Sequence, residues 1–240
     1  MLGTGLLNFE VVGFAHARVA MDALFAAATP VHVAAAAATL LVPYAAFASV
    51  QPEPKRRAWF LTLVTACVVG PGSLPTVFAH VFPAFDEAAQ FSDEPRAAFL
   101  CAFFVAFLVA DCAVGALHYP SQFHVFEGWI HHAVYAAFFA WLTRAGYTVA
   151  GASTLALELP TAILAAGHCF PAARADLLYG GAFFAVRVAF HFYLLVKWVA
   201  MRDPPIALWP CTAATLLLHA FWFFKWCRSY AKQRAKEKGV

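Results

Sequence analysis

The sequence predicts an all-α polytopic membrane protein, a bundle of about seven transmembrane helices. Three observations carry this expectation. Of the 240 residues, 63% are apolar and only 12% charged, whereas a soluble domain carries about 25% charged residues. Apolar runs of about twenty residues recur along the chain, the length needed to cross a hydrocarbon core of about 30 Å. No long hydrophilic stretch interrupts them that could house a separate soluble domain, so a single membrane domain over 31–226 is expected.

Residues 1–30 are apolar but are interrupted by Glu10, Arg18 and Asp22 and end at Thr29-Pro30. They read as an interfacial segment and lack the pattern of a cleaved signal peptide. Val31–Val50 is the first uncharged span, followed by a tight loop, Gln51-Pro52-Glu53-Pro54-Lys55-Arg56-Arg57. The second span, Ala58–Phe82, contains Gly70-Pro71-Gly72-Ser73-Leu74-Pro75. Two prolines each remove a backbone donor, which predicts a kink or a break there. The third span is Ala97–Leu117, the fourth Trp129–Tyr147 and the fifth Thr148–Gly167, with Glu158-Leu159-Pro160 inside it. Leu177–Ala200 is the sixth, carrying Arg187 and His191, and Ala207–Trp226 is the seventh. Residues 227–240 form a basic tail.

Seven spans divide the basic loops unevenly. One side receives Lys55, Arg56, Arg57, Arg174 and the tail, and the excess of Lys and Arg marks it as cytosolic. The N-terminus is then lumenal and the C-terminus cytosolic. The last five residues, Lys236-Glu237-Lys238-Gly239-Val240, have the KxKxx form of a retrieval signal, so the endoplasmic reticulum is the expected membrane. An ordinary solvated tail is the plainer reading of the same residues. The net charge of +3 is small and concentrated at the C-terminus, which gives no case for nucleic acid. Six scattered cysteines without a CxxC spacing argue against a disulfide framework or zinc.

The sharpest feature is a polar set inside the apolar runs. Asp111 interrupts the third span, and the adjacent pair His131-His132 opens the fourth. Ionisable groups in hydrocarbon are costly and mark a functional site by default. At 1.5 Å per helical residue, Asp111, His131, His132, Glu158 and Arg187 all fall within about 15 Å of the cytosolic boundary. That common depth predicts a shared polar cavity open to the cytosol. Adjacent helical residues point about 100° apart, so one histidine faces the cavity while the other leans to a neighbour, and Tyr135 shares the face of His131. Asp111 or Glu158 is expected to accept a proton from one imidazole nitrogen and fix the tautomer of the other. Such a pair can act as a general base or as a nucleophile toward an activated acyl group. The competing reading is a buried network in which these groups only satisfy one another. His191, four residues after Arg187, is a further candidate. His118 and His124 read as interfacial and His168 as solvated, while His16, His32, His80 and His219 read as structural. Neither HxxxH nor HxxEH occurs at the pair, so no metal is expected.

Four stretches carry a resemblance: Leu108-Val109-Ala110-Asp111, Trp129-Ile130-His131-His132, Leu157-Glu158-Leu159-Pro160-Thr161 and Ala185-Val186-Arg187-Val188. In order and spacing, over roughly residues 30–230, the chain resembles the TLC-domain family, which includes the ceramide synthases and the translocating-chain-associated membrane proteins. The resemblance implies that His131 and His132 are acyl-transfer residues supported by Asp111, with long-chain acyl-CoA as co-substrate and no other cofactor. Ceramide synthases carry an aspartate-rich stretch in the span after the double histidine. Here Glu158-Leu159-Pro160-Thr161 stands instead, which looks more like the small TLC-domain-containing proteins, whose roles include adjusting membrane phospholipid composition. A histidine those relatives tend to carry in the second span is absent, Cys67 being the nearest position.

Two expectations follow. One is a protein that acts on or senses membrane lipids, with or without turnover. The other is an acyl-CoA-dependent N-acyltransferase using His131 and His132, oriented by Asp111 and Glu158. In it Arg187, with Tyr135 and His191, would hold the substrate's negative head group. Enzyme status, lipid identity and homo-oligomerisation stay open.

Overall fold

A computed structural model of the chain describes residues 30–201 and 208–237, and every regular element among them is helical. The interfacial segment expected before Pro30, and residues 238–240 of the KxKxx pattern, lie outside the described residues. Four helices are long and apolar enough to cross a membrane: Pro54–His80, Pro95–His118, Thr148–Cys169 and Asp176–Val199. They correspond to the second, third, fifth and sixth expected spans, and they give the chain the make-up of an integral membrane protein.

The other three expected spans differ for identifiable reasons. The first is a helix, α1 (Pro30–Val50), but its described apolar part, Ala34–Val50, is shorter than a span. The fourth divides into a π-helical turn, Val125–Ile130, and α5 (His131–Arg144), which is only 14 residues long. The seventh lies within a 30-residue helix, Leu208–Glu237. There Trp209, Pro210, Thr212, Thr215 and His219 dilute the apolar run. That helix also continues without a break through the basic residues, so the boundary expected at 226/227 falls inside one element.

The chain divides into two units, Met1–Ala156 and Leu157–Val240. In the first, α2 (Pro54–His80), a short α3 (Glu87–Gln90), α4 (Pro95–His118) and α6 (Thr148–Leu155) join α1 and α5. Helix α4 is central and packs against α1, α2, α5 and α6. Its Leu100, Cys101, Phe103, Phe104, Phe107 and Leu108 are buried, and Phe104 meets Phe139 of α5 edge-on at 4.9 Å. Pro95 sits in its first turn, where the missing N–H has no intrahelical partner to lose. Of the kink or break expected at Gly70–Pro75, the break does not occur: α2 runs continuously through both prolines. Gly72 lets the α2 backbone approach α4 closely, since a Cβ there would stand 2.9 Å from Leu100. One end of this unit is tied by polar contacts. Thr148 Oγ1 donates to Asp93 at 2.5 Å and accepts from the Glu94 N–H, while His80 meets Glu94 at 2.7 Å.

The second unit comprises α7 (Leu159–Cys169), α8 (Asp176–Ala182), a π-helical turn Phe183–Phe190, α9 (His191–Val199) and α10 (Leu208–Glu237). Helix α10 packs on α8, on the π turn and on α9. Gly180 makes that approach possible, because a Cβ there would fall 1.9 Å from the Trp226 ring. Leu177, Leu178, Phe184, Phe192, Val196, Leu217, Phe221 and Phe224 are exposed. In water so much uncovered apolar surface would call for a partner, whereas acyl chains cover it directly.

Candidate functional site

The first unit builds a site around Asp111. Its carboxylate lies on α4, 4% exposed, and two groups converge on it. Tyr119 donates its hydroxyl to Oδ1 at 2.5 Å, and His132 Nε2 lies 3.0 Å from Oδ2. The approach of Nε2 is off the ring N–H axis, so this contact is a close charge pair rather than an in-line hydrogen bond. Tyr119 reaches back because the chain leaves the helix there, at φ −148° and ψ 51°. Burial first, then the neighbouring Asp111 carboxylate, raise its phenol above the ordinary value, which keeps the proton that it donates.

The tautomer of His132 is set by its other nitrogen. Nδ1 lies 2.8 Å from the Gly128 carbonyl, and a carbonyl only accepts, so Nδ1 carries a proton. The arrangement is a buried histidine–carboxylate pair whose histidine is held at Nδ1 by the Gly128 carbonyl and has Nε2 beside Asp111.

The Gly128 carbonyl occupies its place because the turn Val125–Ile130 is π-helical, a geometry frequent at functional positions. The ring of Phe123 fills a slot between Gly115 of α4 and Gly128 of the turn. A Cβ at either glycine would come within 2.6 Å and 2.9 Å of it. Phe123 in turn lies 5.4 Å from the His132 ring, with Phe107 on the ring at 5.8 Å. Gly128→Ala should push Phe123 off its place against the imidazole and cost about 1–3 kcal/mol, the range of small-to-large substitutions in packed cores. Thermal unfolding in detergent measures this, with Gly181→Ala, which has open space around it, as the comparison.

His131 sits differently. It is half-buried, its ring 4.4 Å from Tyr135 and 5.6 Å from His132. The two histidines therefore divide as their 100° offset requires, His132 toward α4 and His131 along its own helix face toward Tyr135. Two further polar atoms belong to this unit. Tyr44 Oη and Arg57 Nε are buried without a hydrogen-bond partner among the described residues. Tyr44 lies within electrostatic reach of both Arg57 and Asp111, and its ring packs edge-on against Tyr119.

The second unit gathers the remaining candidates into two pairs. Arg187 donates Nε to the Leu157 carbonyl at 2.8 Å and Nη2 to Thr161 at 2.6 Å and to Glu158 at 3.2 Å. Glu158 thus lies with Arg187, whose Nε and Nη2 donate within the chain. His191 lies on α9 with its Nδ1 3.0 Å from Nδ1 of His219, so His219 is a pairing partner rather than an isolated core histidine. The first unit thus holds Asp111, His131 and His132, and the second pairs Glu158 with Arg187 and His191 with His219.

Sequence reasoning overlooked Tyr119, Phe123, Gly128 and His219. Tyr119 stands just past the end of α4, where the backbone leaves helical geometry, so periodicity carried no signal. Among the described residues no group of three or more His, Cys, Asp or Glu side chains is gathered for a metal ion. No protein-family model, curated protein or solved structure matches the chain.

Proposed function

We propose that the chain is a membrane-lipid-handling protein of the TLC kind, which binds or senses lipids at the Asp111–His132–Tyr119 cluster and so bears on membrane lipid composition. The proposal includes seven spans, a lumenal N-terminus, a cytosolic C-terminus and residence in the endoplasmic reticulum. The observation that carries it is the polar cluster itself, set inside an apolar bundle with the buried, unpartnered Tyr44 Oη and Arg57 Nε in the same unit. Buried polar atoms normally find partners, and a lipid head group supplies acceptors for both. With Nδ1 held by the Gly128 carbonyl and Nε2 beside Asp111, His132 serves as a fixed recognition element. Arg187 and Glu158 hold the second unit together.

The position of His131 favours one further reading, acyl transfer. His131, half-buried with its ring against Tyr135, would be the attacking imidazole. Its nitrogen would form a C–N bond with the thioester carbonyl of a long-chain acyl-CoA as the C–S bond breaks. The thiolate would leave with the proton the imidazole gives up. A lipid amine would then take the acyl group, form the amide and return the imidazole. In this reading His132 and Asp111 position and polarise the neighbouring ring.

Two measurements on the purified full-length protein test these readings. The lipids retained after reconstitution into mixed-lipid nanodiscs and repurification are identified by mass spectrometry. The native protein should retain one lipid class several-fold over its share of the mixture, and His132→Ala should lose that enrichment. Identical profiles for native and variant would sink lipid recognition at this cluster. Intact-mass spectra after incubation with acyl-CoA test the second reading. An acyl-sized gain present in native protein and His132→Ala, but absent in His131→Ala, is expected of acyl transfer through His131.

A further inference from the structure

The second unit contains a cleft, about 140 Å³ in volume, between the end of α7, the α7–α8 connection and the C-terminal half of α10. Several waters would fit, at about 30 Å³ each. Its wall is aromatic. Phe223, Trp226 and Tyr230 stack along α10 with ring centroids 5.8 and 5.3 Å apart, and Tyr179 meets Trp226 edge-on at 6.2 Å. Ile163 and Leu164 make part of the lining apolar. Two glycines shape it: Gly180 admits the Trp226 ring, and Gly167 admits the backbone of Arg174, where a Cβ would stand 3.3 Å away.

The polar lining comprises His168, Asp176 and Gln233 together with Arg174, Tyr179, Ser229 and Tyr230, and the last four bring unused donors. Arg174 gives only its Nε, to Asp176 at 2.8 Å, and its side chain is 63% exposed. Its two terminal amino groups make no hydrogen bond to the described residues. The hydroxyls of Tyr179, Ser229 and Tyr230 also have no hydrogen-bond partner among the described residues, and all three residues line the cleft. A guanidinium edge and three hydroxyls call for an occupant rich in acceptor oxygens, and phosphate accepts bidentately from arginine. The surroundings reinforce the charge. Arg228, Lys232, Arg234 and Lys236 follow on the same helix. Tryptophan and tyrosine beside basic residues are the composition of a membrane–water boundary on the positive side.

We propose that this cleft binds a phosphate group, held by Arg174 with Tyr179, Ser229 and Tyr230 and supplied by the head group of an anionic phospholipid. The apolar lining at Ile163 and Leu164 and the aromatic ladder favour a lipid over soluble phosphate, because they offer cover to the start of an acyl-glycerol. The site lies wholly in the second unit and stands independently of the function proposed for the histidine cluster.

The test is native mass spectrometry of the full-length protein in detergent, titrated separately with dioctanoyl phosphatidic acid, dioctanoyl phosphatidylcholine and inorganic phosphate. Phosphatidic acid should bind at least tenfold more tightly than phosphatidylcholine. Arg174→Gln and the double variant Tyr179→Phe/Tyr230→Phe should each weaken it about tenfold, and Arg174→Lys should keep most of the affinity. Circular dichroism and gel filtration check that each variant is folded. If inorganic phosphate alone binds as tightly and shows the same dependence on Arg174, the phosphate chemistry stands and its source is soluble. Unchanged binding in Arg174→Gln overturns the proposal. So does an equal loss on Lys225→Gln, outside the cleft, which would reveal diffuse attraction to basic residues.

Discussion

Asp111→Ala is expected to destabilise the protein by about 3–5 kcal/mol, the range for removing one partner of a buried ion pair. The change strands two groups at once. The Tyr119 hydroxyl loses its acceptor, and His132 Nε2 loses the carboxylate placed 3.0 Å from it. Neither can turn to water, since Tyr119 is 1% and His132 9% exposed. Asp111→Asn keeps an acceptor for Tyr119 and removes the charge, so its cost should be nearer 1–3 kcal/mol. Equilibrium unfolding in mixed micelles, followed by far-UV circular dichroism, separates the two variants. A loss under about 1 kcal/mol for Asp111→Ala, below the usual cost of a single orphaned group, would mean that the cluster is held by the surrounding packing. Its charges would then be kept for recognition alone.

The second large effect is expected at Arg187. Arg187→Met leaves Glu158 with its charge uncompensated, its side chain only 19% exposed, and should also cost about 3–5 kcal/mol. The informative comparison is the double variant Arg187→Met/Glu158→Leu. Replacing a whole buried pair by apolar side chains is often neutral or stabilising, so the double variant should recover most of the loss. Recovery identifies the pair as a device of fold specificity. A double variant as unstable as Arg187→Met would instead assign the cost to the Leu157 carbonyl and Thr161, the other acceptors of Arg187. The same unfolding measurement reads both.

Hydropathy and length made the helices legible, because crossing hydrocarbon is a local demand on twenty consecutive residues. Pro54–His80, Pro95–His118, Thr148–Cys169 and Asp176–Val199 each begin and end within four residues of an expected span. What hydropathy misjudged were local interruptions. Gly70–Pro75 promised a kink or a break, and the helix is not broken there. The Trp129–Tyr147 run concealed a change of helical type at Ile130/His131, which no composition signals. The candidate residues were visible one by one as charges in apolar runs, whereas their partners depended on where the backbone turns. Asp111 and His132 stand 21 positions apart, and the arithmetic of helix depth brought them to one level. That same depth placed Glu158 and Arg187 in the same company, and these two pair with each other. His219 looked ordinary because a lone histidine on an apolar helix gives no hint of a second one facing it from α9.

The π-helical turn before His131 also bears on how this chain can change length. Within Val125–Ile130 the Trp129 N–H reaches back to the His124 carbonyl, five residues away, so the turn holds one residue more than an α-turn would. Losing one residue from an α-helix rotates everything beyond it by about 100°. Losing one here can be absorbed by tightening the turn into α geometry, with α5 keeping its phase against α4. A single-residue deletion within Val125–Ile130 therefore has a local buffer that leaves the two histidines their bearings.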